Sequence, residues 1–125
     1  MSENKIGTLV FDAAFKVHSA LGLGLLESSY QVCTFYELQK IGLKVENEKA
    51  LPLDYEEVKM DIGYRIDLLV EDKVVIEIKA VELLADAHLA QVLTYLKLSQ
   101  CKLGYLLNFN VPLMKSGIKR VVNGV

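Results

Sequence analysis

Apolar residues recur every three or four positions from Ile6 to Leu21, through Leu9, Val10, Ala13, Ala14, Val17 and Ala20, and that period belongs to a helix. Gly22 ends it. Phe11, Phe15 and His18 form a second stripe beside the first, which leaves Lys5, Asp12, Lys16 and Ser19 as a narrow wet side. A helix apolar over more than half its circumference packs on more than one neighbour, so a second copy of the chain is a candidate partner for that stripe. Beyond Gly22 and Gly24 the pattern predicts a second helix over 25–40, stopped by Gly42. Alternation and β-branched content then predict strands over 51–55, 62–70 and 74–80, the last two joined as a hairpin through Glu71, Asp72 and Lys73. A third helix is predicted over 86–98, with Asp86 as its N-cap. An apolar strand over 102–108 and a short last strand over 118–122 follow. The order α-α-β-β-β-α-β predicts one α/β domain over 1–125 with a mixed sheet.

One strand does not fit a purely apolar role. In VVIEIKAVE, residues 74–82, alternation sends Val74, Ile76, Ile78 and Ala80 to one face and Val75, Glu77 and Lys79 to the other. Burying an acid and a base is costly unless each is compensated. With residues 71–73 as the turn, Val70 pairs with Val74, and counting back sets Asp67 against Glu77. Like charges directly opposed on a sheet repel, and two facing carboxylates call for a cation or a shared proton. A hard divalent ion, Mg2+ or Mn2+, suits such oxygen donors. Lys79 adds a point charge for a phosphate or for a water losing a proton, so Asp67, Glu77 and Lys79 together suit metal-assisted phosphodiester hydrolysis. The plain alternative is a charged sheet face on which Arg65 and Lys79 pair with Asp67 and Glu77; spacing alone leaves both open.

The helices add polar groups of less definite meaning. His88, Gln91 and Tyr95 share a stripe of the third helix, which by itself reads as the amphipathic boundary beside Leu89, Leu93 and Leu96. Glu27 and Tyr30 follow the Gly-Leu-Gly turn, where a glutamate is favoured by the helix dipole alone. Apolar residues make up 52% of the chain and charged ones 24%, which excludes disorder and hints at self-association. The net charge of −2 gives no support to a protein that coats nucleic acid through bulk charge. The charge is uneven: residues 51–101 hold ten acids against five bases, whereas the tail carries Lys102, Lys115, Lys119 and Arg120 and no acid. Cys33 and Cys101 sit in no metal or redox pattern, no apolar run reaches membrane-spanning length, and the start of the chain lacks a signal-peptide layout. A cytoplasmic protein is the expectation.

The stretch GLLESSY, Gly24 to Tyr30, reads as G-x-x-E-x-x-Y, and with RIDLLVEDKVVIEIKAVE, HLAQVLTYLKLS, LGYLLNFNVP and GIKRVVN it resembles the GxxExxY protein family over nearly the whole chain. That family is placed in the PD-(D/E)XK nuclease-like superfamily. The resemblance implies a restriction-endonuclease-like core, a mixed four- to five-stranded sheet flanked by helices. It implies that Asp67 and Glu77, the Ile78 carbonyl and Glu27 hold Mg2+ or Mn2+, with Lys79 orienting or activating water. Gln91 and Tyr95 match a Q-x-x-x-Y motif linked to DNA contact, and His88 and Tyr30 join them as nucleic-acid-binding or site-supporting residues. The implied activity is a nuclease, with DNA ahead of RNA as substrate and substrate affinity drawn from added domains or from a homodimer; the alternative is a silent binding or assembly module on the same fold. Ile66 stands where the superfamily motif has proline, Leu23 where the family usually has proline, and Asn110 where it has glycine.

Overall fold

The computed structural model describes residues 1–61 and 63–124. Helix α1 runs over Glu3–Leu21. The Ser2 side chain accepts the Lys5 backbone N–H at 3.2 Å to cap it, and Gly22 at φ +70° ends it. Helix α2 occupies Glu27–Lys40, starting two residues later than expected: Leu25 and Leu26 are outside it, and Leu26 is the extended residue before the first turn. Strands β1 (Val45–Ala50), β2 (Leu53–Tyr55), β3 (Val58–Met60), β4 (Arg65–Val70) and β5 (Val74–Lys79) follow, then helix α3 (Asp86–Ser99), strand β6 (Leu103–Asn108), a 3-10 turn over Met114–Gly117 and strand β7 (Ile118–Val122).

Five strands form one mixed sheet in the order β1-β4-β5-β6-β7, as an α/β fold with a restriction-endonuclease-like core requires. The β5–β6 pair is parallel and the other three neighbours are antiparallel. The parallel pair is joined through α3, the crossover such a pair needs. One face of the sheet buries Val74, Ile76, Ile78, Tyr105 and Leu107 against Ile6, Val10, Ala14 and Val17 of α1 and Tyr30 and Leu38 of α2. The other buries Val75, Leu106 and Leu69 against Val92, Tyr95 and Leu96 of α3. β5 is therefore covered on both sides, which explains its near-continuous apolar run.

The strand expected over 51–55 is present only as Leu53–Tyr55, and a six-residue strand that was not expected precedes it. Val45–Ala50 pairs with β4 as an edge strand, and Leu53–Tyr55 forms a separate hairpin with Val58–Met60. The sequence VENEKA has little apolar alternation because an edge strand needs only its partner's backbone ladder, and packing context overrides propensity there. The expected start of the next strand at Ile62 lies outside the described residues; Gly63 and Tyr64 are not in a strand, and β4 begins at Arg65. Ala85, not Asp86, is the N-cap of α3, and the His88 Nδ1 accepts the Ala85 backbone N–H at 3.0 Å. The second stripe of α1 is divided. Phe11 packs edge-on against Tyr105 with ring centres 5.1 Å apart, and His18 Nε2 lies 2.7 Å from the Val111 carbonyl. Of the three, Phe15 is left exposed.

Candidate active site

Strands β4 and β5 pair in the register set by the three-residue turn: Val70 with Val74, Leu69 with Val75, Leu68 with Ile76. The ladder stops there, one step before Asp67 and Glu77, while β5 stays paired with β6 as far as Lys79. Each carboxylate takes the place of a missing main-chain partner across the seam. The Asp67 N–H donates to Glu77 Oε2 at 2.8 Å, and the Ile78 N–H donates to Asp67 Oδ2 at 2.8 Å. Among the described residues, Asp67 Oδ1 and Glu77 Oε1 accept no hydrogen bond, so each acid keeps one oxygen free.

Burial sets the protonation of this pair. Glu77 is only 3% exposed. Desolvation first, and then the Asp67 charge, push its carboxyl up to about 8, against the lowering effect of the Asp67 N–H and of Lys79. Asp67 is raised to about 6, again chiefly by burial, with the charges of Glu48 and Glu27 adding to it and the Ile78 N–H opposing. Lys79 is half-buried, and its charge favours ionisation of both acids. Among the described residues neither Lys79 nor Arg65 makes an ion pair with them; Arg65 turns to Asp61 at 3.2 Å instead. The charged-sheet-face alternative, which needs those pairs, is not what the structure contains.

Residues from both sides of the sheet approach the seam. Glu27 opens α2 and is exposed, near enough for its charge to act on Asp67. One turn on, Gln31 Nε2 lies 3.3 Å from the Asp67 carbonyl, 2.9 Å from Glu48 Oε2 and 3.0 Å from Asn47 Oδ1. From α3, the buried Tyr95 receives the Gln91 Nε2 hydrogen bond at 3.2 Å. Its phenol is raised by burial and by the Glu77 charge, so it too lies near the acids. Tyr64 packs edge-on against Tyr95, ring centres 6.3 Å apart.

Two residues expected as nucleic-acid-binding or site-supporting bond to backbone rather than to the acids. Tyr30 is fully buried and stacked on Phe109 at 4.6 Å, out of reach of nucleic acid. Its hydroxyl donates to the Gly22 carbonyl at 2.7 Å and accepts the Leu25 N–H at 3.1 Å, which ties down the loop ahead of Glu27. His88 caps the start of α3.

Sequence reasoning missed Glu48 and Gln31. Glu48 stands at the position of β1 that falls between the Asn47–Leu68 and Lys49–Ile66 pairs, against Asp67, and holds a left-handed backbone at φ +54°. With β1 itself unrecognised, its only local signal was one more acid in a charged stretch.

The donor set fits a hard cation: a buried and a half-buried carboxylate with a free oxygen each, no neutralising ion pair among the described residues, and further acids nearby. Among the described residues no three Asp, Glu, His or Cys side chains converge as a ready-made cage, so such an ion would keep part of its water. The larger clefts, about 550 Å³ beside Phe15, His18 and Leu113 and about 500 Å³ between α3 and β7, do not include the acids.

The family model described as the PD-(D/E)XK nuclease superfamily matches residues 4–121. The chain belongs to that superfamily. Comparisons with curated proteins and with solved structures gave no match. No helix among the described residues is long and apolar enough to cross a membrane.

Proposed function

We propose that this chain is a Mg2+- or Mn2+-dependent nuclease of the GxxExxY type, built as a single domain, acting in the cytoplasm on DNA ahead of RNA. The observation that carries the reading is the Asp67–Glu77 pair, a half-buried and a buried acid facing each other across a strand seam, with no ion pair to either among the described residues.

Asp67, Glu77 and the Ile78 carbonyl would hold the ion, with Glu27 reaching it directly or through water. When bound, the ion supplies Lewis acidity toward the phosphate and lowers the pKa of a coordinated water. The cross-strand bonds from the Asp67 and Ile78 N–H groups fix one oxygen of each carboxylate and so aim the other. Lys79, on the same face of β5 as Glu77, orients the attacking water and offers its ammonium to a phosphate oxygen. Tyr95, braced by Gln91, positions the strand from the α3 side.

The test is cleavage of linear, circular and single-stranded DNA and of RNA with Mn2+ or Mg2+. Wild type cleaves and Lys79→Ala does not; no cleavage by wild type, or equal cleavage by both, overturns the proposal. The cross-strand bonds also give both acids a structural role without turnover, which is what a silent binding module on this fold would retain; that module would bind Mn2+ and leave every substrate intact.

A further inference from the structure

Beyond Lys79 the sheet is continued by a side chain. β5 ends at Lys79, whose carbonyl accepts the Phe109 N–H at 3.0 Å. Two residues later the Asn108 amide grips the Val81 backbone at both of its polar groups. Asn108 Nδ2 donates to the Val81 carbonyl at 2.9 Å, and Asn108 Oδ1 accepts the Val81 N–H at 3.0 Å. The same Oδ1 also accepts the Asn110 N–H at 3.3 Å.

Asn108 is 3% exposed and its two polar side-chain atoms are both satisfied, so the amide is held as firmly as a ladder residue. Its backbone is backed from the other side: a Cβ at Gly117 would collide with the Asn108 carbonyl, so the turn before β7 closes directly onto this residue. Ile78 does not depend on this arrangement, because Asp67 Oδ2 holds its N–H and it lies inside the β5–β6 ladder. Lys79 lies next to it, with main-chain pairing to β6 ending at its carbonyl. It is the last ladder residue, and among the described residues no ion pair steadies its ammonium.

We infer that Asn108 is a positioning residue for Lys79: its amide clamp on Val81 keeps the strand pleated through the end of β5 and so holds the lysine on the face of Glu77. The inference rests on the role given to Lys79 above and adds a residue from β6 that touches neither the acids nor the substrate. It separates two parts of the site. The metal-holding part ends at Ile78, and the part that aims Lys79 runs from Lys79 to Val81.

Asn108→Asp and Asn108→Ala test it beside wild type and Lys79→Ala. Asn108→Asp keeps the shape and turns an acceptor toward the Val81 carbonyl; Asn108→Ala removes both bonds. Backbone 15N relaxation is measured across 76–81, together with Mn2+ affinity by calorimetry and cleavage per folded molecule. In wild type the amides of 79–81 are rigid, with order parameters near ~0.85, and in both variants they fall toward ~0.6 while residues 76–78 stay rigid. Mn2+ affinity is unchanged, and cleavage drops roughly tenfold to hundredfold, as misplacement of a catalytic group does.

Rigid amides in both variants overturn the clamp. Cleavage that is unchanged per folded molecule, or that falls only together with Mn2+ affinity, overturns the link to Lys79. If one variant fails to fold, the other decides. If wild type binds Mn2+ but cleaves nothing, the nuclease proposal and the positioning role fall together, and the relaxation arm still decides whether the clamp exists.

Discussion

Glu77→Gln turns the electrostatics of the seam into a stability measurement. The side chain keeps its shape, and an amide oxygen still accepts the Asp67 N–H that Glu77 Oε2 accepts at 2.8 Å. What changes is the buried charge. In the native protein the Glu77 carboxyl is carried from 4.5 to about 8, by desolvation first and the Asp67 charge second. Over that interval the folded chain holds a proton that the unfolded chain has released. Its stability therefore falls as pH rises from about 4.5 through about 8, and the loss is complete above that. At ~1.4 kcal/mol per pKa unit the ceiling is about 5 kcal/mol. Asp67 and every other titrating group are present in both proteins, so the difference between wild type and variant isolates residue 77 and its coupling to Asp67. The assay is urea unfolding in EDTA at about pH 5, 7 and 9. Near pH 5, where wild-type Glu77 is neutral, the two proteins agree within about 1 kcal/mol, the worth of one neutral hydrogen bond. Near pH 9 the variant is the more stable by about 3–5 kcal/mol, more than roughly 10 °C in Tm for a chain of this length. A difference that does not change with pH, or a variant less stable than wild type at pH 9, would refute the description of Glu77 as a buried acid without an ion-pair partner among the described residues.

Two further outcomes follow from the same geometry. Mn2+ at a hundredfold excess over its Kd stabilises the wild-type fold by about 2.7 kcal/mol, and Asp67→Asn loses that gain while still folding; thermal unfolding with Mn2+ and with EDTA reads it, and an equal Mn2+ shift in both proteins removes Asp67 from the site. Tyr30→Phe keeps the stack on Phe109 but leaves the Leu25 N–H and the Gly22 carbonyl without their hydroxyl partner, at a cost of about 1–3 kcal/mol by denaturant unfolding; a loss under about 0.5 kcal/mol shows that the loop ahead of Glu27 is held by something else.

Local chemistry in the chain was enough to bring the two acids together. Alternation in RIDLLV and VVIEIK and a three-residue turn fix the register of β4 and β5, and a one-residue slip would turn every side chain to the wrong face. The period of α1, the Gly-Leu-Gly turn ahead of Glu27 and the spacing of Gln91 and Tyr95 were equally legible, because each depends on neighbours a few positions away. Tertiary structure decided what depends on distant partners. VENEKA becomes a strand because β4 presents an edge to it, and only then does Glu48 stand against Asp67. The β4–β5 ladder stops before Asp67 and Glu77 while β6 holds β5 onward, so the carboxylates bond to backbone across the seam instead of merely opposing each other. Burial beneath α3 and beside α2 then raises both acids, and Asn108, twenty-nine positions beyond Lys79, closes the strand end on which that lysine sits. Pattern carries the register of a hairpin because a β-strand repeats every two residues. Solvation and the ends of ladders belong to the packed molecule, since they are set by atoms that the chain brings near only when it folds.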